Sequence, residues 1–268
     1  MILKTKALLK QGAESSSNKQ ILRNKIYFLS DAHLGSASHD NSIDIERKMC
    51  RFFDSIKHDA KEIYLMGDIF DYWFEYKNVV PRGFSRILGK MSELTDAGIP
   101  VYFFIGNHDI WLTDYLSTEC GLIVKKEPVV KTLNGKVFFL AHGDGLGDEK
   151  ASFMFIRRIY HNKFLRFLYA AVHPRWTMAF ASMWSNYSRM NGEIEPYMGE
   201  DKEHLIQFAK KKLKSSPGIN YFIFGHRHIM LNLPLKEDSN IVILGDWMSY
   251  FSYAEFDGDT MELKQFEG

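Results

Sequence analysis

The sequence predicts an α/β layered fold, and three observations carry that expectation. Short apolar runs rich in Ile, Val, Phe and Tyr recur along the chain. Amphipathic helical stretches lie between several of them. Most of the runs end on Asp, Asn or His, so the fold is expected to gather polar groups at one edge.

Residues 1–24 read as a flexible lead-in, because GAESSSNKQ is polar and small and nothing around it is periodic. The domain proper is expected over 25–268. Its strands are IYFLS (26–30), EIYLMG (62–67), VYFFIG (101–106), KVFFLAHG (136–143), YFIFGH (221–226) and IVILGDW (241–247). Each is continuously apolar rather than alternating, which suits strands covered on both faces. Residues 43–59 and 83–98 carry apolar residues at three- and four-residue spacing, and Gly98 suits a helix end. Near the end, SYAEFDGDTMELKQF holds a D-G turn between strand-like runs and reads as a hairpin.

One segment breaks the rhythm. Residues 151–190 contain no Asp or Glu, five Arg, one Lys and ten aromatic residues, a local charge of +6 against +1 for the chain. Phe153, Ile156, Tyr160, Phe164, Phe167, Leu168 and Ala171 form one helical stripe; Trp176, Phe180, Met183, Trp184 and Tyr187 form a second. His173-Pro174 separates them. An inserted helical lid is therefore expected at about 150–192.

The bulk numbers exclude several classes. At 46% apolar and 25% charged, 268 residues can build a packed core. A net charge of +1 gives no general argument for nucleic acid. Cys50 and Cys120 are too few for a disulfide framework and imply a reducing, cytoplasmic setting. Neither a secretory signal nor an apolar run of the roughly 20 residues needed to span a bilayer is read in the sequence.

The strand ends carry the chemistry. FLSDAHLG offers Asp31 and His33, LMGDIFD offers Asp68, FIGNHD offers Asn107, His108 and Asp109, LAHGDG offers His142 and Asp144, and IFGHRH offers His226 and His228. In open α/β sheets, ligands bind beyond the carboxyl ends of the strands. A lone D-x-H carries no chemistry, but five such motifs at successive strand ends can build one site. Carboxylate, amide and imidazole without thiolate suit Mn²⁺, Fe²⁺ or Zn²⁺ better than Ca²⁺. Seven candidate ligands exceed one ion's need and suit a pair sharing a carboxylate. D-x-H and H-x-H put two side chains on one side of an extended segment. Gly67, Gly106, Gly143 and Gly225 fit sharp turns where the chain leaves each strand.

The ordered set D-x-H, G-D-x-x-D, G-N-H-D, H-G-D and G-H-x-H resembles the calcineurin-like metallophosphoesterases over about residues 26–250. The resemblance implies a β-sandwich flanked by helices, hence two packed sheets rather than one open sheet. It implies Asp31, His33, Asp68 and His228 on one divalent ion and Asp68, Asn107, His142 and His226 on the other, with Asp68 shared. Mn²⁺ is the expected metal, Fe²⁺ or Zn²⁺ the alternatives. His108 resembles the residue that protonates the leaving oxygen or stabilises the transition state, with Asp109 expected to orient it and Asp71 expected behind the ligands.

The lid is similar to that of the UDP-2,3-diacylglucosamine pyrophosphatases of lipid A synthesis, as is VILGDW to their LGxW. That resemblance implies hydrolysis of a lipid-linked UDP-sugar to UMP and 2,3-diacylglucosamine 1-phosphate. Arg157, Arg158, Asn186 and Arg189 become candidate diphosphate or sugar contacts, and the aromatic stripes acyl-chain contacts or a foot on the cytoplasmic membrane face. One residue departs: many members of that family carry Arg where this chain carries His108. A different nucleotide or lipid substrate therefore stays open as the alternative, with a nuclease, a protein phosphatase and a non-catalytic binding module ranked lower.

Overall fold

The computed structural model describes residues 23–36, 42–147, 158–159, 162–180, 183, 196–197 and 199–268. The proposed lead-in falls almost wholly outside them. Two β-sheets pack face to face. The first orders its strands as β11 (Met261–Gln265), β10 (Ser252–Phe256), β1 (Lys25–Leu29), β2 (Ala60–Leu65), β3 (Val101–Phe104) and β4 (Ile123–Lys125). The second runs β5 (Val129–Leu133), β6 (Lys136–Leu140), β7 (Tyr221–Phe224), β9 (Ser239–Leu244) and β8 (Met230–Lys236). β1 to β4 are mutually parallel, and so are β6, β7 and β9. Each sheet thus presents the carboxyl ends of its central strands along one edge.

The apolar runs are continuous because both faces of the strands are covered. Ile26 and Phe28 point between the sheets with Tyr64, Phe138, Leu140, Ile223, Val242 and Phe256. Tyr27 and Leu29 point the other way, onto Met49, Phe52 and Phe53 of α1 (Ser42–Ile56) and Ile87, Met91 and Leu94 of α2 (Ser85–Asp96). In the second sheet Phe139, Phe222, Phe224, Ile241 and Ile243 face Leu205, Ile206 and Ala209 of α5 (His204–Ser215). Period-two alternation therefore separates two kinds of core, not core from solvent.

All six predicted strands, both predicted helices and the terminal hairpin are present. The sequence reading missed β4, β5, β8, α5 and the one-turn α3 (Tyr115–Thr118). β4 has only three residues, and β8 alternates and contains Pro234. β8 tolerates the proline because it is an edge strand, and its register slips at Pro234. No helix among the described residues is long and apolar enough to cross a membrane.

Between β6 and α5, α4 (Lys163–Ala170) is followed by a second helical stretch at 174–180. Asn162 caps α4 by accepting the N–H of Phe164 at 2.9 Å and of Leu165 at 3.1 Å. Pro174 starts the second stretch, and the His173 Nδ1 accepts the Arg175 N–H at 3.2 Å.

Candidate metal centre

The central strands deliver their polar ends to one place. Leu29 ends β1, Asp31 and His33 follow, and Asp68 comes three residues after β2. These residues do not continue the strands. Asp31, His33, Asp68, His226 and His228 have φ of 56°, 42°, 53°, 67° and 52°, so the expected extended D-x-H and H-x-H geometry is replaced by left-handed backbone. Such conformations persist only where surrounding contacts impose them. The Asp31 N–H donates to Gly67 O at 3.1 Å, the His33 N–H to Asp68 O at 3.0 Å and the Trp247 N–H to Asp31 O at 3.0 Å. Gly106 and Gly225 serve close approach rather than a left-handed turn. A Cβ on Gly106 would overlap Asp68 Oδ1, and one on Gly225 would overlap the Ser30 hydroxyl and Asp31 Oδ2.

The side chains form two groups of expected ligands, and a third set, His33, Asp68 and His108, joins them. Asp31, His33 and His228 bring donor atoms within 4.8 Å of one another, and so do Asp68, His142 and His226. Asp68 lies between them, with Oδ2 3.8 Å from His33 Nε2 and 3.3 Å from His142 Nε2. Asn107 Oδ1 is 3.3 Å from the same His142 nitrogen. His142 Nδ1 donates to Met66 O at 2.8 Å, which leaves the Nε2 lone pair facing Asp68 and Asn107. His33 Nε2 and His228 Nε2 face each other at 3.3 Å, and the buried Asp31 Oδ1 near both accepts no hydrogen bond. This is a cage of converging lone pairs, as a divalent cation requires and uncharged packing does not.

The electrostatics agree. Burial opposes charge on His33, but Asp31, Asp71 and Asp68 outweigh it and push the imidazole up to about 9. Without a metal, the cage draws a proton instead. Burial opposes ionisation of Asp68 too, yet His142 and His108 hold its carboxyl well below the usual range. Burial and then His142 push His226 down to about 4, which keeps it neutral as a ligand must be.

Two carboxylates stand behind the histidines. Asp71 Oδ1 is 3.3 Å from His33 Nδ1 and 3.5 Å from His108 Nδ1, and the Asp71 carbonyl accepts from His108 Nδ1 at 2.9 Å. Asp246 Oδ2 is 3.7 Å from His228 Nδ1, while its Oδ1 accepts the N–H groups of Met248, Ser249 and Tyr250 at 2.9, 2.6 and 3.1 Å. Acidic partners of this kind orient metal-binding imidazoles. An open cleft beside His142 is lined by Gly106, Ile110, Lys125, Lys126 and Asp144.

The model of the calcineurin-like phosphoesterase family matches residues 24–230. The chain belongs to that family. It is accordingly a phosphoesterase that depends on divalent metal. The chain is similar to the UDP-2,3-diacylglucosamine hydrolase of Porphyromonas gingivalis, with 46% identity over 259 residues, 92% of this chain and 99% of that protein. It is similar to the protein of the same description from Vibrio vulnificus at 25% identity, covering 89% of this chain and 96% of that one. Among solved structures it has a likeness to a dimetal phosphatase from Danio rerio, with a TM-score of 0.46 and 14% identity over 91% of this chain and 96% of that one.

Within this phosphoesterase, all seven expected ligand positions converge, and His108 adjoins them with its ring 4.6 Å from that of His33. The expected role of Asp109 needs correction. Its carboxylate accepts the N–H of Gly106 at 2.7 Å and of Ile69 at 3.1 Å, so it braces the backbone under Asp68. It does not hold His108; Asp71 does. Arg158 is exposed. Arg157, Asn186 and Arg189 lie outside the described residues.

The described part of the expected lid touches the rest of the domain through the face that the predicted stripes omit. Tyr169 packs on Phe74 and Trp111 at ring distances of 5.0 and 4.9 Å, and its hydroxyl is 3.2 Å from that of Tyr72. Arg166 donates to Trp111 O at 3.3 Å, and the buried Thr177 bonds the Tyr76 hydroxyl. Phe164, Phe167, Leu168 and Ala171 of the first stripe instead face outward, as do Trp176, Phe180 and Met183 of the second. Asp71, Asp246 and Tyr72 were legible only in part. Asp71 and Asp246 share the mark of an acid just beyond a strand end, but their partners come from distant segments.

Proposed function

We propose that this protein hydrolyses the diphosphate bond of UDP-2,3-diacylglucosamine, releasing UMP and 2,3-diacylglucosamine 1-phosphate. The observation that carries the substrate is the full-length likeness to the Porphyromonas gingivalis UDP-2,3-diacylglucosamine hydrolase. Support comes from α4 and the stretch after it, which touch Trp111, three residues from His108, and leave Phe164, Phe167 and Trp176 66%, 70% and 67% exposed. A substrate with acyl chains at one end and a diphosphate in the middle needs that juxtaposition.

Asp31, His33, Asp68 and His228 would hold one divalent ion and Asp68, Asn107, His142 and His226 the second, with Mn²⁺ the expected occupant. When bound, such a pair activates water at neutral pH and offsets charge growing on the phosphoryl oxygens. The Nδ1–H of His142 on Met66 O fixes the tautomer, so that the neutral ring offers Nε2 as the ligand atom, while, against burial, Asp68 and Asp31 push the imidazole up when no cation is bound. His108 keeps a proton on Nδ1 against the Asp71 carbonyl, which fixes the ring beside His33 and Asp68 where the reacting phosphate would sit. Burial pushes His108 down, so the neutral ring is the resting form; it would polarise the phosphoryl or leaving oxygen only after gaining a second proton. Arg157, Arg158, Asn186 and Arg189 are the proposed diphosphate or sugar contacts. Water adds across one P–O bond, its oxygen going to phosphorus and its hydrogen balancing the released phosphate.

The outward lid face is proposed to rest on the cytoplasmic membrane surface, where acylated substrate resides. Co-sedimentation with anionic vesicles that falls as salt is raised is the expected behaviour. The decisive assay is UMP release from the diacylated UDP-sugar by the Mn²⁺-loaded protein. No UMP, together with good turnover of a soluble phosphodiester, would replace the lipid substrate with a general one.

A further inference from the structure

Arg227 separates the two histidines of the G-H-R-H turn, so a guanidinium sits one residue from a ligand of each proposed ion. Its Nε donates to both carboxylate oxygens of Glu203, at 3.0 and 3.1 Å. Glu203 is 3% exposed and stands at the residue before α5, where the chain returns from the lid insertion. The same carboxylate is 3.4 Å from His204 Nδ1, and the His204 ring lies 6.5 Å from that of His226.

The turn is held from three directions. The Gly225 N–H donates to His142 O and the Arg227 N–H to Gly225 O, each at 2.8 Å. The His226 N–H donates to Asp31 Oδ2 at 2.9 Å. The third hold is the Arg227 side chain on Glu203. His226 and His228 both need left-handed backbone to face opposite groups, and that conformation persists only under constraint.

We propose that Glu203 is a positioning residue for the metal centre. It draws Arg227 to the start of α5 and fixes the turn with His226 and His228 turned to different ions. The return of the lid insertion is thereby tied to the metal-binding turn. The inference rests on the two-ion reading and is independent of the substrate.

The test is Mn²⁺ binding to the full chain, read from the spin resonance of free Mn²⁺ and by calorimetry. Wild type is expected to bind two ions. Glu203→Gln is expected to weaken at least one by ~10–100-fold, the usual cost of losing a group that supports a ligand. Arg227→Ala is expected to weaken binding similarly, and the double variant to be no worse than either single one, because each removes the same hold. A purely structural role predicts a lower thermal midpoint in both variants with affinity unchanged. If Glu203→Gln does not fold, Glu203→Asp keeps the charge at shorter reach and is expected to show a smaller loss than Arg227→Ala. Wild-type affinity in Glu203→Gln, or losses from Glu203→Gln and Arg227→Ala that add in the double variant, overturns the inference. A wild-type chain that binds no Mn²⁺ overturns the two-ion reading itself.

Discussion

Asp71 and Asp109 are both buried acids close to His108, yet they touch different things. Asp71 faces the Nδ1 atoms of His33 and His108, whereas Asp109 accepts two backbone N–H groups. Asp71→Asn should lower kcat or Mn²⁺ affinity by ~10–100-fold with little change in the denaturation midpoint. Asp109→Asn turns an amide N–H₂ toward a backbone donor and should cost about 1–3 kcal/mol in urea unfolding, with kcat within tenfold of wild type. Steady-state kinetics and unfolding curves on both variants separate the roles. An unstable Asp71→Asn with normal kinetics would reverse the assignment.

At the scale of elements, α2 depends on a neighbour for its cap. Phe84 precedes it in left-handed backbone with no side-chain acceptor to offer. Glu46 of α1 supplies one instead, accepting the N–H of Arg86 at 3.1 Å and of Ile87 at 3.0 Å. Glu46→Ala should cost about 0.5–2 kcal/mol, with Glu46→Gln closer to wild type and activity unchanged in both. Thermal unfolding beside a kinetic assay checks this. α4 makes the opposite demand. Phe164 and Phe167 face outward, so Phe164→Asp with Phe167→Asp should leave the unfolding midpoint nearly unchanged. The pair should abolish vesicle binding and raise KM for acylated substrate, while turnover of a soluble phosphodiester stays at wild type. Unaltered vesicle binding would remove the membrane role from this face.

For the whole molecule, the metal centre is a joint between two sheets. Asp31, Asp68 and Asn107 follow strands of the first sheet, and His142, His226 and His228 follow strands of the second. Ions bound there cross-link the layers and stabilise the folded state by mass action, about 2.7 kcal/mol for each site at 100 times its Kd. Tm should climb with Mn²⁺ concentration and fall on chelation, reversibly, in differential scanning calorimetry. A Tm indifferent to metal would mean that the sheets are locked by their apolar contacts alone.

Much of this protein was legible in one dimension. Continuous apolar runs specified buried strands, the 3.6-residue period specified α1 and α2, and the residue types at the strand ends specified metal chemistry. Those features depend on local pattern, which a chain carries in its own order. The short or alternating β4, β5 and β8 carried too little pattern to be seen. Which acid serves which histidine was not local either. Asp109 neighbours His108 in sequence, but the turn after β3 directs its carboxylate into Gly106 and Ile69, and Asp71 arrives from the β2 turn instead. The left-handed backbone at five ligand positions and the hold of Glu203 on Arg227 likewise arise from contacts between segments far apart in the chain. Sequence determined the strands and the ligand types; packing alone decided their partners, because hydrogen bonds and ion pairs follow distance in space.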